Sequence, residues 1–269
     1  MSEIEKVQAK LLDMMHRLVV VLDEHRIPYY VCAGTQLGAV RHKGFIPWDD
    51  DIDIMIPRPD YERLIQLARA NDLKLGEGLE ARSIELGNAR IPFLKVIDPQ
   101  VEIVDLGQVD RINKLWIDVF PMEGLPSDAD ERVKFYRKAR RIQKSFLIGY
   151  NSLAQLIKIT KRKRQILAKW AIHVGVRAYG LKRLARKLVK HCSRYDFEQA
   201  EYVGLVMWSY GEKEAMLKAD LWTRQYEFCD MKVKGVGDYD RYLKNSFGEY
   251  MILPPVDQRK THGVKLVCD

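Results

Sequence analysis

Asp51 and Asp53 stand two residues apart in Asp51-Ile52-Asp53-Ile54-Met55-Ile56, an alternating run that predicts a strand. On a strand, residues i and i+2 share a face. Both carboxylates therefore point to one side, close enough to share a hard, oxygen-seeking cation. Two carboxylates held that near each other repel unless a cation neutralises them. Asp118 lies in Trp116-Ile117-Asp118-Val119-Phe120, where Ile117 and Val119 face the opposite way, and a neighbouring strand would set it beside the first two. Three such carboxylates suit Mg²⁺ (or Mn²⁺) together with substrate phosphate oxygens, the arrangement used for in-line phosphoryl transfer.

Residues suited to a phosphorylated ligand surround this acidic set. A predicted strand from Tyr29 to Ala33 ends in Gly34-Thr35, where a missing side chain lets backbone N–H groups approach a phosphate. Arg41-His42-Lys43 brings two cations next to the acidic run, which suits a diphosphate. Lys95, inside an apolar strand, offers a second phosphate contact. Trp48 reads either as a core aromatic or as a platform for a base, His42 as packing or catalysis, and His262 as a site residue or a bland one. Glu123, Glu249 and Tyr250 support the site. An isolated Asp49-Asp50-Asp51 would be a solvated turn; the upstream glycine turn and the later strand aspartate make it a site.

Residues 34 to 54 read GTQLGAVRHKGFIPWDDDIDI. With WIDVFPMEGLP at 116 to 126 and FGEYMILPPVDQRKTH at 247 to 262, this run resembles the signature of the LicD family. That family includes phosphocholine transferases and fukutin-related ribitol-phosphate transferases. The resemblance frames most of the chain and leaves the middle, about 130 to 210, as a variable helical region. It implies a nucleotidyltransferase fold with metal aspartates on Asp51 and Asp53 and a third on Asp118. It also implies a glycine turn at Gly34-Thr35 and diphosphate contacts from Arg41-His42-Lys43. The implied reaction moves a substituted phosphate, by default phosphocholine from CDP-choline, onto a hydroxyl of a cell-surface or lipid-linked glycan. Two other readings share parts of the pattern. One is a nucleotidyltransferase that releases pyrophosphate from a nucleoside triphosphate. The other is a non-catalytic membrane or nucleic-acid adaptor built on the basic middle.

The elements that must hold these residues predict an α+β protein: a nucleotidyltransferase-like mixed β-sheet flanked by helices, with a basic helical insertion. The boundaries expected are 1–130 for the catalytic core, 131–210 for the insertion and 211–269 for a segment completing the site. Helical spacing runs from residue 3 to 26 and from about Asp60 to Ala70. Paired strands are expected at Ile91 to Ile97 and Val101 to Leu106, turned at Asp98-Pro99, and another from Lys114 to Phe120, closed by Pro121. From Asp130 to Tyr210 the pattern is helical, with Ile166, Leu167, Trp170, Ala171 and Val174 in one stripe.

Of the 45 Lys/Arg, twenty fall between Arg132 and Arg194, where there is no Asp or Glu; the other 25 are outnumbered by the 37 acidic residues elsewhere. Such a block attracts a polyanion, and its aromatic and apolar stripe favours an anionic membrane surface over nucleic acid. No stacked-aromatic module or zinc finger points to nucleic acid. Cys32, Cys192, Cys229 and Cys268 form no C-x-x-C pair, which predicts free thiols and argues against structural zinc. No apolar run approaches the roughly 18 residues of a membrane span, and Met1 to Lys6 has no signal-peptide character. The expected location is cytoplasmic, peripheral on the inner face of the membrane.

Overall fold

The computed structural model describes residues 1–104, 106, 112–160, 163–259 and 261–267. Helix α1 (Glu3–Glu24) begins in a capping box, in which the Ser2 and Glu5 side chains each satisfy the other residue's backbone N–H. Strand β1 (Tyr30–Val31), helix α2 (Ala33–Arg41), strand β2 (Asp53–Pro57) and helix α3 (Arg58–Ala70) follow. Next come β3 (Glu80–Arg82), β4 (Leu94–Glu102) and β5 (Lys114–Leu125). Four consecutive helices are α4 (Ala129–Tyr150), α5 (Leu153–Ile159), α6 (Lys163–Tyr179) and α7 (Leu181–Cys192). The chain then adds β6 (Tyr202–Leu205), β7 (Met216–Leu217), β8 (Thr223–Phe228), β9 (Met231–Val236) and α8 (Tyr239–Phe247).

The strands form one mixed sheet in the order β3-β4-β5-β2-β1-β9-β8, with β6 on the far half of β5 and β7 on β6. The β2–β5 and β1–β9 pairs are parallel; the others are antiparallel. Alternation along the central strands fills two layers. Ile54, Ile56, Val96, Ile117 and Val119 pack with Leu11 and Leu18 of α1 and Tyr61 and Leu64 of α3. Met55, Phe93, Phe120 and Met122 face the other way, toward Phe146 of α4, Leu188 of α7 and Leu243 of α8. The mixed, helix-flanked sheet agrees with the α+β expectation.

Several local readings differ from the sequence. Gly34 and Thr35 lie in the first turn of α2 rather than in a loop after a strand, because β1 is only two residues long. Asp98-Pro99 is not a hairpin turn: β4 runs through it, and its partners are β3 on one side and β5 on the other. Part of the predicted second strand, including Asp105, lies outside the described residues. Pro121 does not end β5. The β4 ladder stops at Val119 and the β6 ladder starts at Met122, so the missing proline N–H falls in the gap between them. The helical region ends at Cys192, and the apolar run Tyr202–Leu205 is a strand on β5. In α7, Leu181, Leu184, Ala185 and Leu188 are buried, whereas α6 leaves Leu167, Trp170, Ile172 and Val174 exposed. Of the basic run Lys161 to Arg164, the first two residues lie outside the described residues. Cys32, Cys192 and Cys229 are free thiols, and Cys268 lies outside the described residues.

Candidate active site

Register across three strands builds the centre of the site. Lys95 on β4 is the partner of Asp118 on β5, and Asp118 is the partner of Asp53 on β2. Register partners share a face, so the three form one row on the side of Phe93, Phe120 and Met55. The Lys95 Nζ lies 2.7 Å from Asp118 Oδ1 and 3.8 Å from the Trp116 ring centroid. Burial lowers the Lys95 pKa, against the opposing pull of Asp118. The start of β2 is clamped by the turn before it. Thr35 Oγ1 accepts from the Asp53 N–H at 2.9 Å, and the Cys32 N–H donates to the Asp53 carbonyl at 3.1 Å. Thr35 thus fixes the strand that carries Asp53.

The three consecutive aspartates before β2 diverge in role. A Cβ on Gly34 would come within 2.6 Å of an Asp49 carboxylate oxygen, so the glycine makes room for that side chain. Burial and then the charge of Asp51 push the Asp49 carboxyl up to about 8. Asp50 is 3 % exposed and ties down the chain's far end. Its Oδ1 accepts from the His262 N–H at 2.7 Å and its Oδ2 from the Val264 N–H at 2.8 Å. Burial alone would raise the Asp50 pKa, but these bonds win and hold it below the ordinary value. The His262 Nδ1 lies 3.1 Å from Asp50 Oδ1 and 3.2 Å from Asp51 Oδ2. Its bond to Asp50 first, then the charge of Asp51, raises the imidazole to about 9 against burial, so it is cationic at neutral pH. Asp53 is pushed well above the usual carboxylate range by burial and by the charges of Asp51 and Asp118.

Gly34, Trp48, Asp51, Asp53, Lys95, Asp118 and His262 line one cavity of about 560 Å³. Thr35, Arg41, His42 and Lys43 do not line it. The basic triplet is spent on structure. Arg41 donates to the Tyr250 carbonyl, His42 packs edge-on to Trp48, and Lys43 turns outward to Glu227 at 2.9 Å. Glu123, instead of supporting the site, is bonded to Arg58 with both groups buried. Asp49, read from the sequence only as part of the aspartate run, also lines the cavity, as do Trp208, Tyr210 and Glu214, which the sequence did not single out. The other three come from the segment after β6: the helical reading covered Trp208 and Tyr210, and Glu214 falls in the segment expected to complete the site.

The donor set suits a hard divalent ion, since five carboxylates, Asp49, Asp51, Asp53, Asp118 and Glu214, line the cavity beside two cations, Lys95 and His262. The carboxylates of the expected triad are nevertheless spread. Among the described residues, the group with three ligand atoms within 4.8 Å of one another is Asp49, Asp50 and His262, not Asp51, Asp53 and Asp118. His262 contacts Asp51 at 3.2 Å, and Lys95 contacts Asp118 at 2.7 Å.

Fold and cavity together define an α+β protein whose acidic cleft opens on one face of a mixed sheet. Residues 26–153 match the LicD/FKTN/FKRP nucleotidyltransferase domain. Over 98 % of its length it is 28 % identical to the lipopolysaccharide cholinephosphotransferase LicD of Haemophilus influenzae, of which it covers 96 %. It is also 45 % identical over 56 residues to an uncharacterised protein of Rickettsia typhi, covering 21 % of this chain and 18 % of that one.

Proposed function

We propose that the protein is a transferase that moves phosphocholine from CDP-choline to a hydroxyl of a cell-surface or lipid-linked glycan. The observation that carries the reading is the row Lys95–Asp118–Asp53 at the floor of a cavity, in a chain similar along nearly its whole length to a cholinephosphotransferase. Asp51, Asp53 and Asp118 would hold Mg²⁺, which when bound neutralises the donor diphosphate and the charge that develops on the transferred phosphoryl group. The Lys95 ammonium, beside Asp118, adds a fixed positive charge to the cavity floor. The first turn of α2, at Ala33 and Gly34, lines the cavity, and a helix N-terminus favours phosphate. Asp118 accepts the proton of the glycan hydroxyl. The hydroxyl oxygen bonds to the choline-bearing phosphorus, the bond from that phosphorus to the bridging oxygen breaks, and cytidine monophosphate leaves.

The exposed α6 stripe supports a membrane-side acceptor. Leu167 is 74 % and Trp170 52 % exposed, within a stretch of the chain that has no acidic residue. We infer that this face rests on anionic lipid and brings a lipid-linked glycan to the cavity. Among the described residues, no helix is long and apolar enough to cross a membrane. Incubation of the protein with CDP-choline, Mg²⁺ and lipopolysaccharide or a lipid-linked oligosaccharide tests the reaction. Release of cytidine monophosphate with choline on the glycan is the expected result. Release of pyrophosphate from a nucleoside triphosphate, with no use of CDP-choline, would overturn it.

A further inference from the structure

One wall of the cavity is built of aromatic rings, of which the row's Lys95 faces Phe93. Phe93 and Trp208 lie 4.8 Å apart with planes at 70°, and Trp208 and Phe146 lie 6.4 Å apart at 74°. Two successive near-right-angle turns make a corner of ring faces and edges rather than a flat stack. Beyond it, Tyr210 meets Phe247 at 5.0 Å and 62°. Phe93 and Phe146 are buried, Trp208 is half-buried and Tyr210 is exposed, so the last two present surface to a ligand. Trp208 has φ 56°, a left-handed backbone that a bulky side chain rarely adopts. Such strain persists where the surroundings fix a side chain's direction.

A carboxylate completes this wall. Glu214 is 2 % exposed, lines the same cavity and accepts from the Tyr210 N–H at 2.6 Å. Burial raises its carboxyl to about 7, so a cation in the cavity would favour its ionised form. A wall for a purely apolar group would have no use for a buried acid. A neutral polyol would meet ring faces where its hydroxyls need partners. An ammonium already rides on neighbouring rings: Lys95 Nζ is 3.8 Å from the Trp116 centroid and 5.7 Å from that of Phe93.

We propose that Trp208 and Tyr210, backed by Phe93, Phe146 and Phe247, receive the quaternary ammonium of the donor head group, with Glu214 as its countercharge. The positive methyl shell of such a group is attracted to ring faces, and a quaternary nitrogen needs no hydrogen-bond acceptor. Mg²⁺ held by Asp51, Asp53 and Asp118 would then take the diphosphate end of the same molecule. This assignment rests on the choline reading of the donor, and it can fail while that reading survives.

The test compares CDP-choline with its neutral carbon isostere, in which tert-butyl replaces trimethylammonium, by calorimetric titration of the full chain with Mg²⁺ present. The two ligands match in shape and differ in charge. The expected result is that the wild-type protein binds CDP-choline about tenfold or more tightly than the isostere. Trp208→Leu and Tyr210→Leu should each bring that ratio toward one while leaving cytidine monophosphate binding unchanged, and Trp208→Phe should retain most of it. Equal binding of the two ligands by the wild type would overturn the proposal, as would a full ratio in both leucine variants. The two leucine changes lie on different ring pairs, so one informative variant remains if the other fails to fold. Choline transfer with equal binding would sink the ammonium pocket alone. A strong preference for CDP-choline without transfer to any glycan would sink the reaction and leave the pocket standing.

Discussion

The two faces of the central sheet, built by alternate residues of the same strands, are made for opposite purposes. On one face Ile54, Ile56, Val96, Ile117 and Val119 close against α1 and α3 with essentially no exposed surface. On the other, one residue along, Lys95, Asp118 and Asp53 stand in a row between Phe93, Phe120 and Met55. The contrast teaches that a costly cluster of like charges is affordable here because the opposite side of the same strands is packed without compromise. The first face is apolar throughout, whereas the second combines an apolar core with the charged row.

The largest expected effect breaks the charged face alone. Asp53→Asn should cut transfer by about a hundredfold or more. Its melting temperature should stay level or rise, because a carboxyl held far above its usual pKa is relieved of charge. A large fall in melting temperature together with full transfer would erase the division of labour. The reciprocal changes break the packed side. Arg58→Met leaves Glu123 buried without its partner and should cost about 3–5 kcal/mol in denaturant unfolding. Ile54→Ala should cost about 2–5 kcal/mol. Transfer per folded molecule should survive both. Gly34→Ala sits between the two cases: its new Cβ meets Asp49, so about a tenfold loss of transfer is expected from about 1 Å of displacement, with little loss of stability.

The smallest effect is a pH slope that sharpens the comparison. Asp49 is raised from 3.8 to about 8, so the folded state binds a proton that the unfolded chain has released. The metal-free protein should therefore lose stability as pH rises from about 4 to 8, and Asp49→Asn should reduce that slope without abolishing it, since the raised Asp53 and Glu214 share it. His262 is raised from 6.5 to about 9, so its contribution is complete below 6.5 and is lost as pH rises through about 9. His262→Gln should remove the decline that remains above pH 8, read by melting curves in chelator. A pH-independent melting temperature from 5 to 9 would contradict both assignments.

The packed side was legible in the sequence because it obeys a period. Ile52, Ile54 and Ile56 announce a strand, and Ile117 and Val119 announce its neighbour. The same alternation gave the facing of Asp53 and Asp118, although not their pairing, which depends on parallel register across 65 residues of chain. The direction of Arg41 and Lys43 could not be read, because charge in a sequence carries none: one cation holds a backbone carbonyl and the other faces solvent beside Glu227. Trp208, Tyr210 and Glu214 could not be read because no periodicity marks an irregular segment. They reach the cavity only because β6 joins β5 beyond Pro121.

The tether between Asp50 and the amides of His262 and Val264 has a consequence for how the molecule comes into being. It joins positions more than two hundred residues apart, and contacts of that separation form late because the long loop must close first. Until they form, Asp50 lacks the donors that keep it ionised in a buried place, and Asp51 lacks the imidazolium beside it. Assembly of the reaction centre is therefore coupled to arrival of the distal segment. The acidic centre would stay idle until that strap is seated.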